Sequence, residues 1–449
     1  MSAARPPSIR RARAIPSYGP LRGIRVLDTG RMVAGPWAAT YLADFGAEVI
    51  HVEGPPYGPP YADPTRVLHP LLPEGAPPED QVSESWVQYG RNKLSLGLDV
   101  RHPLGKGVFL DLIAHSDIWI DSSRPGTFAR FGLSDRSLLR RNPRLVIVHL
   151  SGFGQTGDPR YIHRPSYDLI AQAFSGYLAS QGNPPPEPPM RTGTAINDLV
   201  TGLAGATSAV MAYVHALRTG RGQVVDLAAS ETFFLMMENM ALDFFTRGVV
   251  RGRHGNAHPR LHPYEIYPAR DGWIVLAAPT PTSWGKLRDA LGLPGGPQWD
   301  SMSWRVENRA TVNERIEAFT RARTVAELEE FGVTHDIAIS PILTMADIAR
   351  NPHYRARRLL RSWTDPVLGR VTGAGIVPKF SRTPGRIWRG APWVGQDNQR
   401  ILGRILGYPS ARLRRLQESG VIGSFRPGKG RRDAKAPGAK WPPATFSEA

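Results

Sequence analysis

The chain has 449 residues, of which 41% are hydrophobic and 21% are charged, and it contains no cysteine. This composition predicts a soluble globular protein of two or three domains and excludes disulfides, cysteine nucleophiles, zinc fingers and iron–sulfur clusters. The formal net charge of +17 favours an anionic small molecule over a specific nucleic-acid partner, because no nucleic-acid-reading motif accompanies the basic residues.

Much of the positive charge lies at the two ends of the chain. Residues 1–22 and 425–449 together supply nine of the seventeen excess charges. Because both ends are rich in Pro, Gly and Ala, we predict disordered basic tails over 1–20 and 423–449. We find neither a secretory signal nor an uninterrupted apolar run near the roughly 18–20 residues that a membrane span needs. We therefore predict a cytoplasmic protein without a membrane partner.

The first third of the chain alternates short strand patterns with helical ones. Strands are predicted at 24–28, 47–53, 93–99, 117–121 and 145–150, and helices at 37–45 and 103–115. Short strands separated by helices predict a parallel sheet with helices on its faces, hence an α/β fold. The Pro-rich residues 54–84 predict a surface loop.

The middle of the chain carries longer helical patterns and one hairpin. Helices are predicted around 167–180, 198–218 and 230–245, and later around 283–291, 311–322 and 324–331. A hairpin is predicted over 264–278, with its turn at 269–272. The hairpin and the later helices could form a smaller domain.

One motif-like spacing suggests a phosphate site, but a neighbouring residue argues against it, and two other familiar motifs are missing. Gly30 and Gly35 are spaced as in a phosphate-binding loop, but Pro36 stands where that motif needs lysine. The dinucleotide-binding glycine pattern is also missing, which disfavours an NAD-dependent reductase. No Gly-x-Ser-x-Gly motif occurs, which argues against an α/β-hydrolase.

Three histidines follow one another at the four-residue spacing that aligns metal ligands on a helix. They are His254, His258 and His262. Pro259 and Pro263 disfavour a continuous helix there, and no carboxylate stands within the spacing. We therefore favour a structural loop over a metal site.

Polar residues also stand inside otherwise apolar stretches. Arg124 and Arg130 flank a turn after a strand, where they could hold an anion at the carboxyl edge of a parallel sheet, or simply be solvated. Asp168 and Asp198 each stand at a predicted helix start. Either carboxylate could cap its helix, or it could act as a base or a nucleophile.

Motifs along residues 20–422 resemble those of the class III CoA-transferases, also called the CaiB/BaiF type. The matching segments, in chain order, are 21–28, 34–36, 44–50, 90–96, 142–146, 151–155, 219–223 and 255–259. Two further segments, 170–177 and 388–390, resemble the carnitine CoA-transferase branch of that family.

The resemblance implies a two-lobed α/β fold. A Rossmann-like, CoA-binding large domain would comprise residues 21–222 and 335–422, and a smaller α+β domain would comprise residues 223–334. Family members form interlocked homodimers, so a homodimer is implied here as well.

The resemblance also implies that Asp198 is the catalytic nucleophile. Its carboxylate would attack an acyl-CoA to give a mixed anhydride, and the released CoA would then form an aspartyl-CoA thioester that the acceptor acid resolves. The implied partners are an acyl-CoA and a small carboxylic acid, with carnitine, γ-butyrobetaine or crotonobetaine favoured, and neither a metal nor a permanent cofactor is required. A position at a helix start would supply N–H groups near the developing oxyanion.

Contacts to CoA are implied by the same resemblance. They fall on Val33, Ala34, Leu98, Arg101, Ser122, Ser123, Arg124, Arg130, Tyr167 and Asp168. The arginines suit the CoA phosphates. The chain departs from the family at Gly54, where some members carry arginine. It also departs at 258–262, which replace the glycine-rich loop that covers the intermediate in formyl-CoA transferases.

Two rival functions share the fold. An α-methylacyl-CoA racemase pairs the same aspartate with a histidine where this chain has Tyr167, and a phenol is a poor base near neutral pH. A CoA-binding protein without turnover would need no nucleophile at Asp198.

Overall fold

The structure, a computed structural model, describes residues 16–57, 62–68, 70–77 and 80–427. The predicted tails fall, for residues 1–15 and 428–449, outside these ranges. The strands are β1 Arg25–Asp28, β2 Glu48–Glu53, β3 Leu71–Leu72, β4 Val82–Ser83, β5 Lys93–Gly97, β6 Ile118–Asp121, β7 Val146–Ser151, β8 Val224–Ala228, β9 Tyr264–Pro268, β10 Trp273–Ala277, β11 Ala338–Pro341, β12 Leu360–Asp365 and β13 Gly369–Ala374.

The α-helices include two long ones that matter for the site, α1 and α8. In chain order they are α1 Ala34–Asp44, α2 Glu84–Tyr89, α3 Pro103–Ala114, α4 Thr127–Arg130, α5 Asp135–Arg141, α6 Pro159–Ile162, α7 Asp168–Phe174, α8 Ile196–Thr219, α9 Ala229–Leu235, α10 Met240–Arg247, α11 Pro281–Leu291, α12 Pro297–Asp300, α13 Met302–Glu307, α14 Arg309–Arg321, α15 Val325–His335, α16 Met345–Arg350, α17 Pro352–Ala356 and α18 Ser410–Glu418.

A six-stranded sheet forms the centre of the fold, in the order β5–β2–β1–β6–β7–β8. All five neighbouring pairs are parallel, which confirms the predicted α/β class. Alternate residues of each strand point to opposite faces. Val26 accordingly packs with the alanines of α1 and α8, whereas Leu27 packs with Phe109 of α3 on the other face. Burial on both faces explains why these strands read as nearly continuous apolar runs.

The strand order reverses between β1 and β6. From β1 the chain moves outward to β2 and β5, and it then returns to add β6, β7 and β8 on the other side. The loops that follow β1 and β6 therefore diverge at the carboxyl edge of the sheet. Such a reversal opens a crevice, which is where open α/β sheets bind their ligands.

Helices α1 and α8 pack closely because small residues line their contact. A Cβ added at Gly202 would lie 2.8 Å from the Ala34 carbonyl oxygen, so only glycine fits there. The approach places the start of α1 against the first turns of α8.

Two predicted helices are shorter in the structure because the backbone turns left-handed within them. The pattern at 167–180 ends as a helix at Phe174, and Gly176 has φ +87°. The pattern at 230–245 is split into α9 and α10, with Glu238 between them at φ +50°. A positive φ is incompatible with continuing an α-helix.

The chain divides into two compact units. One contains the parallel sheet and holds residues up to 175, 193–236 and those from 358 onward, while the other holds 176–192 and 237–357. The second unit contains the antiparallel sheet β11–β10–β9, in which β9 and β10 form the predicted hairpin. The predicted small domain, 223–334, overlaps this unit over 237–334. The predicted domain bounds stay a prediction.

Helix α8 is the one helix among the described residues that is long and apolar enough to cross a membrane. It packs on the sheet through alanines such as Ala206 and Ala209. A single helix of this kind is weak evidence for a membrane span, and the predicted absence of a membrane partner stays a prediction.

Candidate functional site

Asp198 is the third residue of α8 and does not cap that helix through its side chain. It lines a cleft of about 450 Å³ at the carboxyl edge of the sheet, which we call the Asp198 cleft. The loops that follow β1, β6 and β7 form its walls. The lining residues are Arg31, Met32, Val33, Ala34, Pro64, Ser122, Ser123, Arg124, Pro125, Leu150, Ser151, Gly152, Ile162, Arg164, Pro165, Ser166, Tyr167, Asp198, Thr201 and Ala229.

The backbone of Asp198 is held by a second, buried carboxylate, that of Asp168. One oxygen of Asp168, Oδ1, accepts hydrogen bonds from the N–H groups of Asn197 at 2.8 Å and of Asp198 at 3.2 Å. Its other oxygen accepts from Gln172 Nε2 at 2.6 Å. Asp168 is the first residue of α7, yet its side chain serves the free N–H groups at the start of α8. These two N–H groups are therefore not available to a substrate oxyanion, contrary to the expectation from the sequence that the helix start supplies its donors.

The electrostatics of this arrangement disfavour a second negative charge. Burial, together with the nearby carboxylate of Asp168, raises the pKa of Asp198 to about 7. The ionised form of Asp198 is therefore accessible near neutral pH. Because the carboxylate that forms is poorly solvated, it is better suited to act as a nucleophile than a carboxylate on the protein surface.

The remainder of the cleft carries positive charge. Arg31, Arg124 and Arg164 line it, and Asp198 is the one acidic residue among its described lining residues. The Arg164 guanidinium lies 4.3 Å from the ring centroid of Tyr161 and donates to the Arg160 carbonyl oxygen at 2.7 Å. An arrangement of this kind attracts phosphate or carboxylate groups.

A smaller pocket of about 220 Å³ adjoins the Asp198 cleft, and both include Arg31 and Ser123. We call it the Arg101 pocket, since Leu98 and Arg101 lie in its wall. Arg101 pairs with Asp99 at 2.8 Å while its side chain is 57% exposed. Exposed pairs contribute little free energy, so an anionic ligand can displace this one at low cost.

The structure brings most of the predicted site residues together around these two cavities. The Asp198 cleft includes Val33, Ala34, Ser122, Ser123, Arg124 and Tyr167, and the Arg101 pocket includes Leu98, Arg101 and again Ser123. Asp168 lies buried behind Asp198. Arg130, at the end of α4, contacts Thr127 Oγ1 at 3.4 Å and lines neither cavity.

Five polar lining residues were missed by the sequence reasoning: Arg31, Ser151, Arg164, Ser166 and Thr201. Ser151 belongs to a motif that was recognised only as a landmark, and Ser166 precedes the predicted Tyr167 directly. The signal that could have found these two serines is their position at the end of a strand and before a helix start, at the carboxyl edge of the sheet.

No group of three or more His, Cys, Asp or Glu side chains that could hold a metal ion occurs in the described part of the chain. The segment 248–263 contains no helix, so the three histidines do not share a helix face. Of these, His262 is buried and its Nδ1 lies 3.1 Å from Glu265 Oε1.

Comparison with known proteins identifies relatives over nearly the whole chain. A family model described as CoA-transferase family III matches residues 21–398. The bile acid CoA-transferase BaiK of Clostridium scindens is 35% identical over 423 residues, which cover 91% of each chain. The succinyl-CoA–D-citramalate CoA-transferase of Chloroflexus aurantiacus is 34% identical over 427 residues, covering 94% of this chain and 100% of that protein.

The fold has a solved counterpart as well. The crystal structure of a CAIB/BAIF family protein from Brucella suis superimposes with a TM-score of 0.74 at 29% identity. The match covers 86% of this chain and 100% of that one.

Proposed function

The chain belongs to CoA-transferase family III and is a CoA-transferase, and on that premise we propose that it transfers CoA through a covalent intermediate on Asp198. One observation carries the proposal. Asp198 presents its carboxyl, whose pKa is raised by burial and by the nearby Asp168, to a cleft that is otherwise lined by arginines and neutral residues. A carboxylate is the nucleophile that the chemistry needs, because its anhydride keeps the energy of the thioester.

The reaction would proceed through a mixed anhydride and an aspartyl-CoA thioester. A carboxylate oxygen of Asp198 attacks the thioester carbonyl carbon, and the C–S electron pair leaves with CoA as thiolate. The thiolate attacks the Asp198 carbonyl of the mixed anhydride, which releases the donor acid and leaves an aspartyl-CoA thioester. The acceptor acid then attacks the aspartyl-CoA thioester, and the same two steps run in reverse.

The placement of CoA follows from the positive charges. We propose that Arg31 and Arg124 bind the CoA phosphates and that the nucleotide end occupies the adjoining Arg101 pocket. The thioester then reaches Asp198 at the other side of the cleft. The predicted phosphate contact of Arg130 would need a side-chain movement toward the cleft. CoA enters as a substrate here, and no permanent cofactor is part of the proposal.

Replacing Asp168 with asparagine is expected to shift the pH profile of the enzyme. The nucleophile must be ionised, so kcat/KM of the wild type should rise with pH through an apparent pKa near 7. Asparagine removes the neighbouring negative charge but keeps an oxygen that can accept the two N–H groups. The pKa of Asp198 should fall, moving the acidic limb down by about one pH unit.

The check is a kcat/KM profile between pH 5 and pH 8, with the exposed Asp158→Asn variant as control. An acidic limb that stays near pH 7 in Asp168→Asn would show that Asp168 does not set the ionisation of Asp198.

The acceptor acid is the finer part of the proposal. The resemblance favours carnitine, γ-butyrobetaine or crotonobetaine. The two relatives are instead named for a bile acid and for D-citramalate, so the carnitine-type acid stays a prediction. We expect CoA transfer from an acyl-CoA to at least one of the three trimethylammonium acids. Mass spectrometry of the acyl-CoA products measures this transfer.

The same assay should include a bile acid and D-citramalate as acceptors, with Asp198→Ala as the blank. Transfer to one of these acids alone would make the carnitine-type prediction wrong while leaving CoA transfer intact. Failure with every donor and acceptor would count against the activity itself.

We further propose that the enzyme works as a cytoplasmic homodimer. Helix α8 exposes apolar side chains away from the sheet, among them Met211 (67% exposed) and Leu217 (54%). A second copy of the chain could cover them, which supports the proposal.

A further inference from the structure

The attack by Asp198 requires hydrogen-bond donors for the substrate. When a carboxylate adds to a thioester carbonyl, the π electrons move to the carbonyl oxygen, which becomes an oxyanion. The N–H groups of Asn197 and Asp198 already donate to Asp168. Donors for the oxyanion must therefore come from another wall of the Asp198 cleft.

Two hydroxyl groups in that wall are unused. The Oγ atoms of Ser151 and Ser166 are buried, and neither has a hydrogen-bond partner among the described residues. Both residues line the Asp198 cleft. A buried hydroxyl without a partner loses the free energy of its bonds to water, so such groups usually have a ligand or an ordered water.

Ser166 lies close to the backbone that follows Ser151. A Cβ added at Gly152, the residue after Ser151, would lie 2.2 Å from the Cβ of Ser166 and 2.6 Å from its Oγ. Only glycine at position 152 lets Ser166 come this close to the end of β7.

Hydrogen bonds connect this pair to the nucleophile's helix. The Gly152 carbonyl oxygen accepts from the Ser230 N–H at 3.2 Å, and the preceding Ala229 carbonyl oxygen accepts from Asn197 Nδ2 at 3.1 Å. Asn197 directly precedes Asp198. Ser166 is in turn two residues before Asp168, which holds the backbone of Asp198. The segments that carry Ser151 and Ser166 are thus both tied to the start of the nucleophile's helix.

We propose that the hydroxyls of Ser151 and Ser166 bind the carbonyl oxygen of the acyl group and stabilise the oxyanion formed when Asp198 attacks. This inference rests on the proposed function. Each hydroxyl donates its hydrogen to the oxyanion while the carbon–oxygen bond to Asp198 forms. When the C–S bond breaks, the electrons return to the carbonyl and CoA leaves as thiolate, so neither serine gains or loses a proton. The same donors would serve the later tetrahedral intermediates.

Single-turnover kinetics of the full-length Ser151→Ala and Ser166→Ala variants test the proposal. An acyl-CoA is mixed with excess enzyme, and the covalent adduct is quantified by mass spectrometry over time. Each variant is expected to form the adduct about 10²-fold more slowly than the wild type. Binding of S-propyl-CoA, a thioether that lacks the carbonyl group, should stay unchanged, because the donors act on the carbonyl oxygen alone.

The control variant is Ser137→Ala, whose hydroxyl donates to the Ser134 carbonyl oxygen away from the cleft. It should match the wild type in adduct formation. If Ser151→Ala and Ser166→Ala both form the adduct at the wild-type rate, the inference is wrong and the proposed function stands. If they weaken S-propyl-CoA binding or unfold at lower urea, the hydroxyls are structural and the inference is also wrong. Absence of any adduct in the wild type would overturn the proposed function, and with it this inference.

Discussion

Asp198→Ala is expected to lose CoA transfer, with kcat reduced at least about 10⁴-fold, as for other enzymes that lose a covalent nucleophile. The reason is specific to the site. Among the described residues that line the cleft, no other carboxylate stands ready to replace Asp198. Asp168 cannot substitute for it, since it is buried and its oxygens accept three hydrogen bonds.

Mass spectrometry of the protein incubated with several acyl-CoAs would show the intermediate directly. An acyl-sized or CoA-sized adduct should appear on the peptide that contains Asp198, and hydroxylamine should convert it to a hydroxamate. The Asp198→Ala protein should show neither product. Asp158→Asn is the control, because it changes an exposed carboxylate that does not line the cleft and should keep the adduct.

Other outcomes would assign the chain differently. If CoA binds but no adduct forms with any donor, the covalent mechanism is wrong. The chain would then be better assigned as a CoA-binding protein or a racemase. A racemase would exchange the α-proton of an acyl-CoA for deuterium without transfer. The position expected to hold its histidine is Tyr167, whose side chain is 67% exposed.

A second large effect is expected on stability, from a buried charge cluster beneath the site. Lys93 is fully buried, and its Nζ lies 2.9 Å from Asp28 Oδ2 and 2.8 Å from the Pro36 carbonyl oxygen. His51 Nδ1 contacts the same Asp28 oxygen at 2.8 Å. Burial alone would raise the pKa of Asp28, but the charges of Lys93 and His51 outweigh it and hold that pKa below its usual range.

Lys93→Met should therefore lower the free energy of unfolding by about 3–5 kcal/mol, because it leaves the Asp28 carboxylate buried with an incomplete set of partners. Asp28 also accepts the Gly30 N–H at 2.9 Å, which shapes the turn at the mouth of the cleft. We expect the loss of stability to be accompanied by weaker acyl-CoA binding.

Urea unfolding measures the effect through the midpoint and the slope of the transition. The exposed pair of Arg160 and Asp158 provides the control, since Arg160→Met should leave the free energy of unfolding nearly unchanged. The double variant Asp28→Asn/Lys93→Met should recover part of the loss, because it removes both charges. If Lys93→Met is as stable as the wild type, the buried pair of Lys93 and Asp28 does not stabilise the fold.

The amino-acid sequence was sufficient to predict the fold class, and it singled out Asp198 as the candidate nucleophile. Apolar runs such as 24–28 and 145–150, separated by helical patterns, are sufficient to predict a parallel sheet, because strands buried on both faces lose the polar alternation of exposed ones. The family followed from motifs in a fixed order along the chain, and the family model confirms it. Asp198 could be proposed as the nucleophile because its position matches the nucleophilic aspartate of the family that the chain resembles.

The surroundings of that nucleophile depend on contacts between distant parts of the chain. Asp168 is thirty residues away in sequence, so no local pattern could show that its carboxylate accepts the Asp198 N–H rather than capping its own helix. The position of Ser166 beside the end of β7 likewise depends on its close approach to Gly152, which lies in a separate loop. Local propensity specifies helices and strands, whereas contacts between distant segments depend on how the sheet brings those segments together. The same assembly buries Asp198 and places Asp168 beside it, and both effects raise the pKa of Asp198.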